Sequence, residues 1–372
     1  MEPEIIKAGD DAGNRMVVKY TSPEGVVIHG IGVPQAWDSP LGPTWCYVVE
    51  GDKLTLVDAG CNGTLTDLEE GLQYAGYPLS AVRRMVVTHG HLDHDGNCFD
   101  VVARSGAELW AHDLYAHLLP FNPWEIQSRS DSSFRDEIHR ITLANSPRSH
   151  SDASRYMDRA YVDGRKSLEV SYKIRDNDQF GDMKFMHTPG HSPDELCLTL
   201  GGLVFTGDHV LPEITPHPTT KVRYAEEVKQ NLPEEYHDTD RLYGLATYLK
   251  SLKRVADLGP DTAVLPAHRL FNKNRFNFKR VRRAKDVIQH HNRRLKRILN
   301  KIDDDSASLE DVTRGLFPRR KLSSGVLYMA LTEAVAHIEL LEDTGDLEVT
   351  GDSRLRRTGS DNYRQFIHEL TS

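Results

Sequence analysis

Between Thr88 and Asn97 the chain reads THGHLDHDGN, which places His89, His91, Asp93 and His94 within six positions. Such groups bind metals and titrate near neutrality, and burying them is costly unless something pairs with them. Gly90 and Gly96 predict a tight loop here rather than a regular helix. The short apolar run VRRMVV just before it predicts a strand that feeds the loop. The simplest reading is a metal site, and it constrains the fold strongly. Distant parts of the chain must bring further donors to this loop.

Three more motifs can do so, because each apparent strand ends in a donor. HTPGHSPDE carries His191, LVFTGDH ends near Asp208, and VLPAHR carries His268. Together with the loop they make seven nitrogen or oxygen donors, of the kind that borderline metals accept.

The 372 residues are 38% hydrophobic, enough for one large core and a smaller second unit. No run approaches 18 continuous apolar residues, so no transmembrane helix is expected. The N-terminal stretch MEPEIIKAGDDAGNRM is acidic and has no apolar core, so no signal peptide is expected either. Cys46, Cys61, Cys98 and Cys197 are scattered, form no CxxC pair and read as small packed side chains. That pattern fits a reducing, cytoplasmic setting. Charge is uneven: residues 271–372 hold 20 Lys+Arg against 15 Asp+Glu, or +5, which leaves −14 for the rest of the total of −9. A change of sign marks separate structural units.

Residues 17–60 read as strands, with Glu50–Lys53 as a hairpin turn. TLTDLEEGLQYAGYPLS reads as a helix stopped by Gly76 and Pro78. Residues 113–165 are polar with isolated aromatics and read as a mostly helical or irregular insertion, either a cap over the site or a surface excursion. Strands resume with SLEVSYKI, MKFMHTPG and LCLTLGGLVFTGD, where Gly201-Gly202 is a two-residue turn. A helix over TDRLYGLATYLKSLKRVADLG and a closing strand DTAVLPAHR follow. From about residue 276 the pattern predicts a long basic helix to about Ile302 and a second helix capped by Ser308. A third helix follows, with Leu327, Leu331, Val335 and Ile338 at helical spacing, and then a small hairpin. The expected division is a catalytic unit over 1–272 and a helical, winged-helix-like unit over 273–372.

The series LVDAG, THGHLDH, TPGH, FTGDH and PAH resembles the metallo-β-lactamase-fold hydrolases, in the family's motif order, over about residues 20–270. The C-terminal part is similar, more weakly, to the glyoxalase II-like and β-lactamase-like-protein-2 branch. The resemblance implies an α/β fold, the αββα sandwich, with the site at one edge. It also implies a dinuclear site. His89, His91 and His191 are assigned to one metal, Asp93, His94 and His268 to the second, and Asp208 to the bridge between them. The spacing is physically reasonable. Positions i and i+2 of an extended loop project to one side, so His89 and His91 can share an ion. Asp58, in LVDAG, is a candidate to orient a ligand imidazole. His187 reads as structural, and His209 and His217 as loop histidines that could face substrate. Ala267 stands where many relatives have glycine, with Arg269 following.

Two dications, zinc first and iron or manganese as alternatives, would activate a shared water as hydroxide, with Asp93 aligning it. The easiest fit is hydrolysis of a small anionic acyl thioester of the acyl-CoA or acylglutathione type. A thiolate leaves with little general-acid help. The alternatives are a metal-dependent phosphodiesterase or endoribonuclease, to which the basic helix near 276–302 lends support, and a lactone hydrolase. A non-enzymatic binding module ranks last, because all seven donors are present. No membrane partner is expected, nucleic acid ranks behind a small substrate, and a homo-oligomer is left open.

Overall fold

The computed structural model describes residues 3–121, 126, 134–145, 159–302, 306–317, 322, 324–351 and 353–372. Its first sheet holds eight strands side by side in chain order: β1 (Glu4–Lys7), β2 (Val17–Thr21), β3 (Val27–Val33), β4 (Thr44–Val49), β5 (Thr55–Val57), β6 (Arg84–Val86), β7 (Glu108–His112) and β8 (Tyr172–Ile174). Neighbours from β1 to β5 are antiparallel, and β5 to β8 are parallel. Connection length explains the change. Val49 pairs with Thr55 across the expected Glu50–Lys53 turn, which only an antiparallel pair permits. Parallel neighbours need crossovers, and helices supply them. These are α1 (Leu65–Tyr74) before β6, α2 (Leu92–Asp95) and α3 (Cys98–Ser105) before β7, and α4 (Asp113–Leu118), α5 (Arg135–Asn145) and α6 (Arg159–Lys166) before β8. The last three belong to the 113–165 insertion, and the rest of that segment lies outside the described residues apart from short pieces.

The second sheet has the order β16-β13-β12-β11-β10-β9, built from β9 (Gln179–Phe180), β10 (Met183–His187), β11 (Leu196–Leu200), β12 (Leu203–Phe205), β13 (Ala263–Leu265) and β16 (Lys279–Arg280). Gly201 and Gly202 join β11 to β12 with φ of 59° and 78°. Two successive positive φ values are what a tight hairpin turn demands and what glycine tolerates.

Alternation along the strands sorts side chains into layers. Met16, Val18, Tyr20, Tyr47 and Val49 face inward and pack with Phe185, Leu198, Phe205 and Leu265 of the second sheet. Their neighbours Val17, Cys46, Val48 and Leu56 face outward under Leu68 and Leu72 of α1 and Val101 of α3. On the far side, Cys197, Val204 and Val264 are covered by Leu249 and Leu252 of α8 (Leu245–Ala256), which follows the short α7 (Glu226–Lys229). The result is the expected αββα sandwich.

The C-terminal part packs onto this far face. It contains α9 (Arg282–Leu299), α10 (Leu309–Leu316), α11 (Ser324–Asp343), a hairpin of β17 (Leu347–Val349) with β18 (Leu355–Arg357), and α12 (Asn362–Thr371). Val287, Leu295, Val312, Leu331 and Ile338 join the same continuous core as Leu249 and Val264. The basic helix begins at Arg282, not near Phe276. Arg275–Phe276 (β15) instead pairs with Phe271–Asn272 (β14), and Lys279–Arg280 extends the second sheet beside β13. Phe276 packs against Phe271 and Phe278, so the aromatic residues of this stretch hold it as strand. The helix expected from Thr239 is also split. A single 3₁₀ turn is followed by Gly244 at φ 87°, and α8 starts only afterwards. SLEVSYKI forms strand only at Tyr172–Ile174, and the final α12 was not foreseen.

Candidate metal centre

Topology brings the donors together. β12 is parallel to β13, and β10 runs the same way because both β10 and β12 are antiparallel to β11. The C-terminal ends of β10, β12 and β13 therefore lie on one edge. Just beyond them come His191, Asp208 and His268. In the first sheet β5 and β6 are parallel, and their C-terminal ends lead to Asp58 and to the His89–His94 loop. Contrary to the tight loop expected, that loop turns into the short helix α2 at Leu92, so that Asp93 and His94 sit on a helical turn.

All seven predicted donors meet at this edge. Three overlapping groups have potential ligand atoms within 4.8 Å of one another: His89, His91 and His191; His89, His94 and Asp208; Asp93, His94 and His268. Asp208 lies between them. Its Oδ2 is 3.5 Å from His191 Nε2, and its Oδ1 is 3.7 Å from His94 Nε2 and 3.4 Å from His268 Nε2. His89 Nε2 stands 2.9 Å from His91 Nδ1.

Hydrogen bonds behind the ring fix which nitrogen faces inward. His191 Nδ1 donates to the carbonyl of His217 at 2.8 Å, and His268 Nδ1 donates to that of Pro43 at 2.9 Å. His94 Nδ1 donates to Asp58 Oδ2 at 2.9 Å. Each ring therefore turns Nε2 toward the centre. Those three Nε2 atoms, and Asp208 Oδ1, are buried without a hydrogen-bond partner. Orphaned buried polar atoms are costly and rare. Four of them converging on one spot fit dications, which would satisfy them together.

Electrostatics agree. Burial lowers the pKa of His89 and then its imidazole neighbours lower it further, and His91 is pushed down to about 3. Burial also disfavours charge on His94 and His268, but Asp93 and Asp208 outweigh it and raise both. Burial opposes ionisation of Asp93 and Asp208 as well, yet His94 and His268 bring both well below the carboxylate range. The cluster favours cations at its lone pairs, and metal would displace the protons there.

Asp58 takes the orienting position. At φ 60°, a conformation costly for a non-glycine residue, it accepts from Thr88 N (2.8 Å), Thr88 Oγ1 (2.9 Å) and His94 Nδ1. The sequence reading missed Glu195, which is wholly buried. Its Oε1 accepts from Asp208 N at 3.1 Å, and its Oε2 lies 3.4 Å from His89 Nδ1. No local pattern marks Glu195 except its place at the end of HTPGHSPDE. Gly207, at φ 50°, leaves room for this arrangement, since a Cβ there would stand 2.5 Å from Glu195 Oε1.

Other histidines lie elsewhere. His187 stacks on His112 at 3.8 Å and donates to the carbonyl of Pro193. His209 is buried edge-on against Tyr248. His217 supplies its carbonyl to His191, while its ring bonds Thr332 and the carbonyl of Met329 on α11. Arg269, next to His268, reaches the carbonyl of Pro40 and pins the rim.

Comparison with known proteins fits this geometry. Residues 39–268, more than half the chain and all seven donors, match the family described as the metallo-beta-lactamase superfamily. The chain is 26% identical over 320 residues to the probable metallo-hydrolase YqjP of Bacillus subtilis (strain 168), covering 81% of this chain and 88% of that one. Among solved structures it resembles the metallo-beta-lactamase family protein TTHA1429 of Thermus thermophilus (TM-score 0.62, 22% identity, covering 89% of this chain and 98% of that one). It also resembles a beta-lactamase domain protein of Burkholderia ambifaria (TM-score 0.60, 23% identity, covering 92% and 94%). No helix among the described residues is long and apolar enough to cross a membrane.

Proposed function

The chain belongs to the metallo-β-lactamase superfamily and is a metal-dependent hydrolase; on that premise we propose that it holds two divalent ions, zinc in the first instance, and cleaves a small anionic acyl thioester. His89, His91 and His191 would hold one ion, Asp93, His94 and His268 the other, with Asp208 shared. The observation that carries this is the set of three imidazoles bonded at Nδ1 and bare at Nε2 around one bare carboxylate oxygen. Such an ion pair supplies Lewis acidity, which lowers the pKa of a nearby water and polarises a carbonyl oxygen.

The protein's own groups define the rest. His89, His94 and His268 are buried, whereas His91, Asp93 and His191 keep some exposure, so substrate approaches across the latter three. Asp93 Oδ2 lies 3.2 Å from His268 Nε2 and accepts from Gln35 Nε2 at 3.4 Å. Its Oδ1, 3.9 Å from His94 Nε2, is clear of both and would align the attacking water. A thiolate needs no strong acid to leave, because a thiol ionises near pH 8.5.

A cleft of about 590 Å³ lies between α9, residues 213–215 and Glu333, and it is lined by Arg283, Gln289, His290, Arg293 and Arg294. Glu213, Asp286 and Glu333 also line it; Glu213 pairs with Arg275 and Glu333 with Arg294. The loop forming one wall continues to His217, which holds His191. This supports an anionic handle on the substrate, of the kind that acyl-CoA or acylglutathione carries. The same arginines favour a second reading, a phosphodiester. A panel of acyl thioesters, lactones and phosphodiesters, assayed with metal-loaded protein, tests the choice. Thioester turnover lost in His89→Ala supports the first reading. Turnover of RNA or phosphodiester alone replaces it with the second.

A further inference from the structure

Beside the metal loop lies a buried charge network that no step above uses. Asp95, the last residue of α2 and the neighbour of His94, is 2% exposed. Three donors meet on its carboxylate: Tyr161 Oη at 2.6 Å on Oδ1, with Arg165 Nε at 3.0 Å and Tyr115 Oη at 3.1 Å on Oδ2. Tyr115 comes from α4 and the other two from α6, so both ends of the 113–165 insertion close on one carboxylate. Arg165 is buried too. Its Nη1 reaches the carbonyls of Leu118 (3.4 Å) and Phe121 (3.3 Å), and its guanidinium lies 5.2 Å from the centre of the Tyr115 ring.

The network touches the loop at two points. Asp95 N donates to the carbonyl of His91 at 2.9 Å, which closes the turn that carries Asp93 and His94. Arg165 Nη2 packs against Gly90, between His89 and His91, so closely that a Cβ there would stand 2.9 Å away. On its other side Gly90 is held by its N–H, which donates to Asp194 Oδ2 at 2.9 Å. A buried Arg–Asp pair adds little net stability, because desolvation offsets its attraction. Its value is geometric, since breaking it leaves an unpaired buried charge that moves whatever it touches.

We infer that Arg165 is a positioning residue that holds the His89–His94 loop in ligating register through Asp95 and Gly90. The insertion therefore acts on the metal centre from behind. The inference rests on the metal reading of the loop. It is tested by competing a chromophoric chelator against metal-free wild type, Arg165→Met, Arg165→Lys and Tyr161→Phe for Co²⁺, with the visible Co²⁺ spectrum and metal-free thermal unfolding recorded in parallel. Arg165→Met should bind Co²⁺ about 10-fold or more weakly, the magnitude seen for outer contacts of metal ligands. Its spectrum should shift, and Arg165→Lys should recover part of the affinity. Wild-type affinity and spectrum in Arg165→Met, with only the metal-free unfolding temperature lowered, overturns the inference. If Arg165→Met does not fold, Tyr161→Phe decides by the same two readouts. A wild type that takes up no Co²⁺ sinks the metal reading itself, and this inference with it.

Discussion

Asp58 shows how one residue can govern the aim of a neighbouring imidazole. Its carboxylate bonds three donors at once, and one is the ring nitrogen that aims His94. Asp58→Asn keeps the volume but loses the charge and one acceptor oxygen. Metal at the Asp93, His94 and His268 group should bind about 10–100-fold more weakly. Elemental analysis after dialysis should show metal content falling toward half that of wild type. A second residue-scale effect comes from the stacked pair His112–His187. Burial lowers both pKa values, that of His187 to about 4, while an unfolded histidine titrates near 6.5. Between those pH values the unfolded chain binds protons that the native pair refuses. Stability should therefore fall as pH drops from about 6.5 to 4 and be unaffected by this pair above 6.5. His187→Gln should show a shallower loss of unfolding temperature across that window. Legibility at this scale was uneven. The seven donors could be read because four sit in one short run and three end strands. Glu195 and Arg165 could not, because their partners lie far away in sequence and neither belongs to a recognisable spacing.

Strands and helices were legible where a local signal sets them. Ser308 was read as a cap, and its Oγ accepts from Asp311 N at 3.1 Å at the start of α10. Ser308→Ala should lower stability by about 1 kcal/mol, measured by denaturant unfolding, with little change in metal content. The Glu50–Lys53 and Gly201-Gly202 turns were equally plain, since turn chemistry is local. The start of the basic helix departs from the expectation because charge and propensity alone do not show that Phe276, at the end of β15, stacks at 5.3 Å on Phe278 just before β16. That contact is tertiary and overrides helix preference. The insertion offered no clear boundaries, and its helices α4 and α6 are tied to the loop by Asp95 together with apolar contacts such as Tyr161 against Leu92 and Cys61.

At the scale of the molecule, the change in charge near residue 271 suggested two units. We propose that the division at 272 is one of role, with 1–272 carrying the chemistry and 273–372 serving as cover and cleft wall. Packing couples the two parts, because α9, α10 and α11 share a core with Cys197, Val204, Leu249 and Val264. A chain ending at residue 272 would expose that face and leave β13 as an open sheet edge. It should be recovered as aggregate rather than as soluble metal-binding protein, checked by size-exclusion chromatography after expression. Conversely, the sandwich topology by itself accounts for the convergence of donors from residues 89 to 268. Parallel neighbours point their ends the same way, which is why residues so distant in sequence share one edge.

The direct test is calorimetric titration of the metal-free protein with Zn²⁺, with hydrolysis followed along the same titration. Two equivalents per chain, protons released on binding, and activity that appears with the metal and is absent from His89→Ala and His268→Ala are the predicted result. Full activity in protein stripped of metal, or in either variant, would contradict the account.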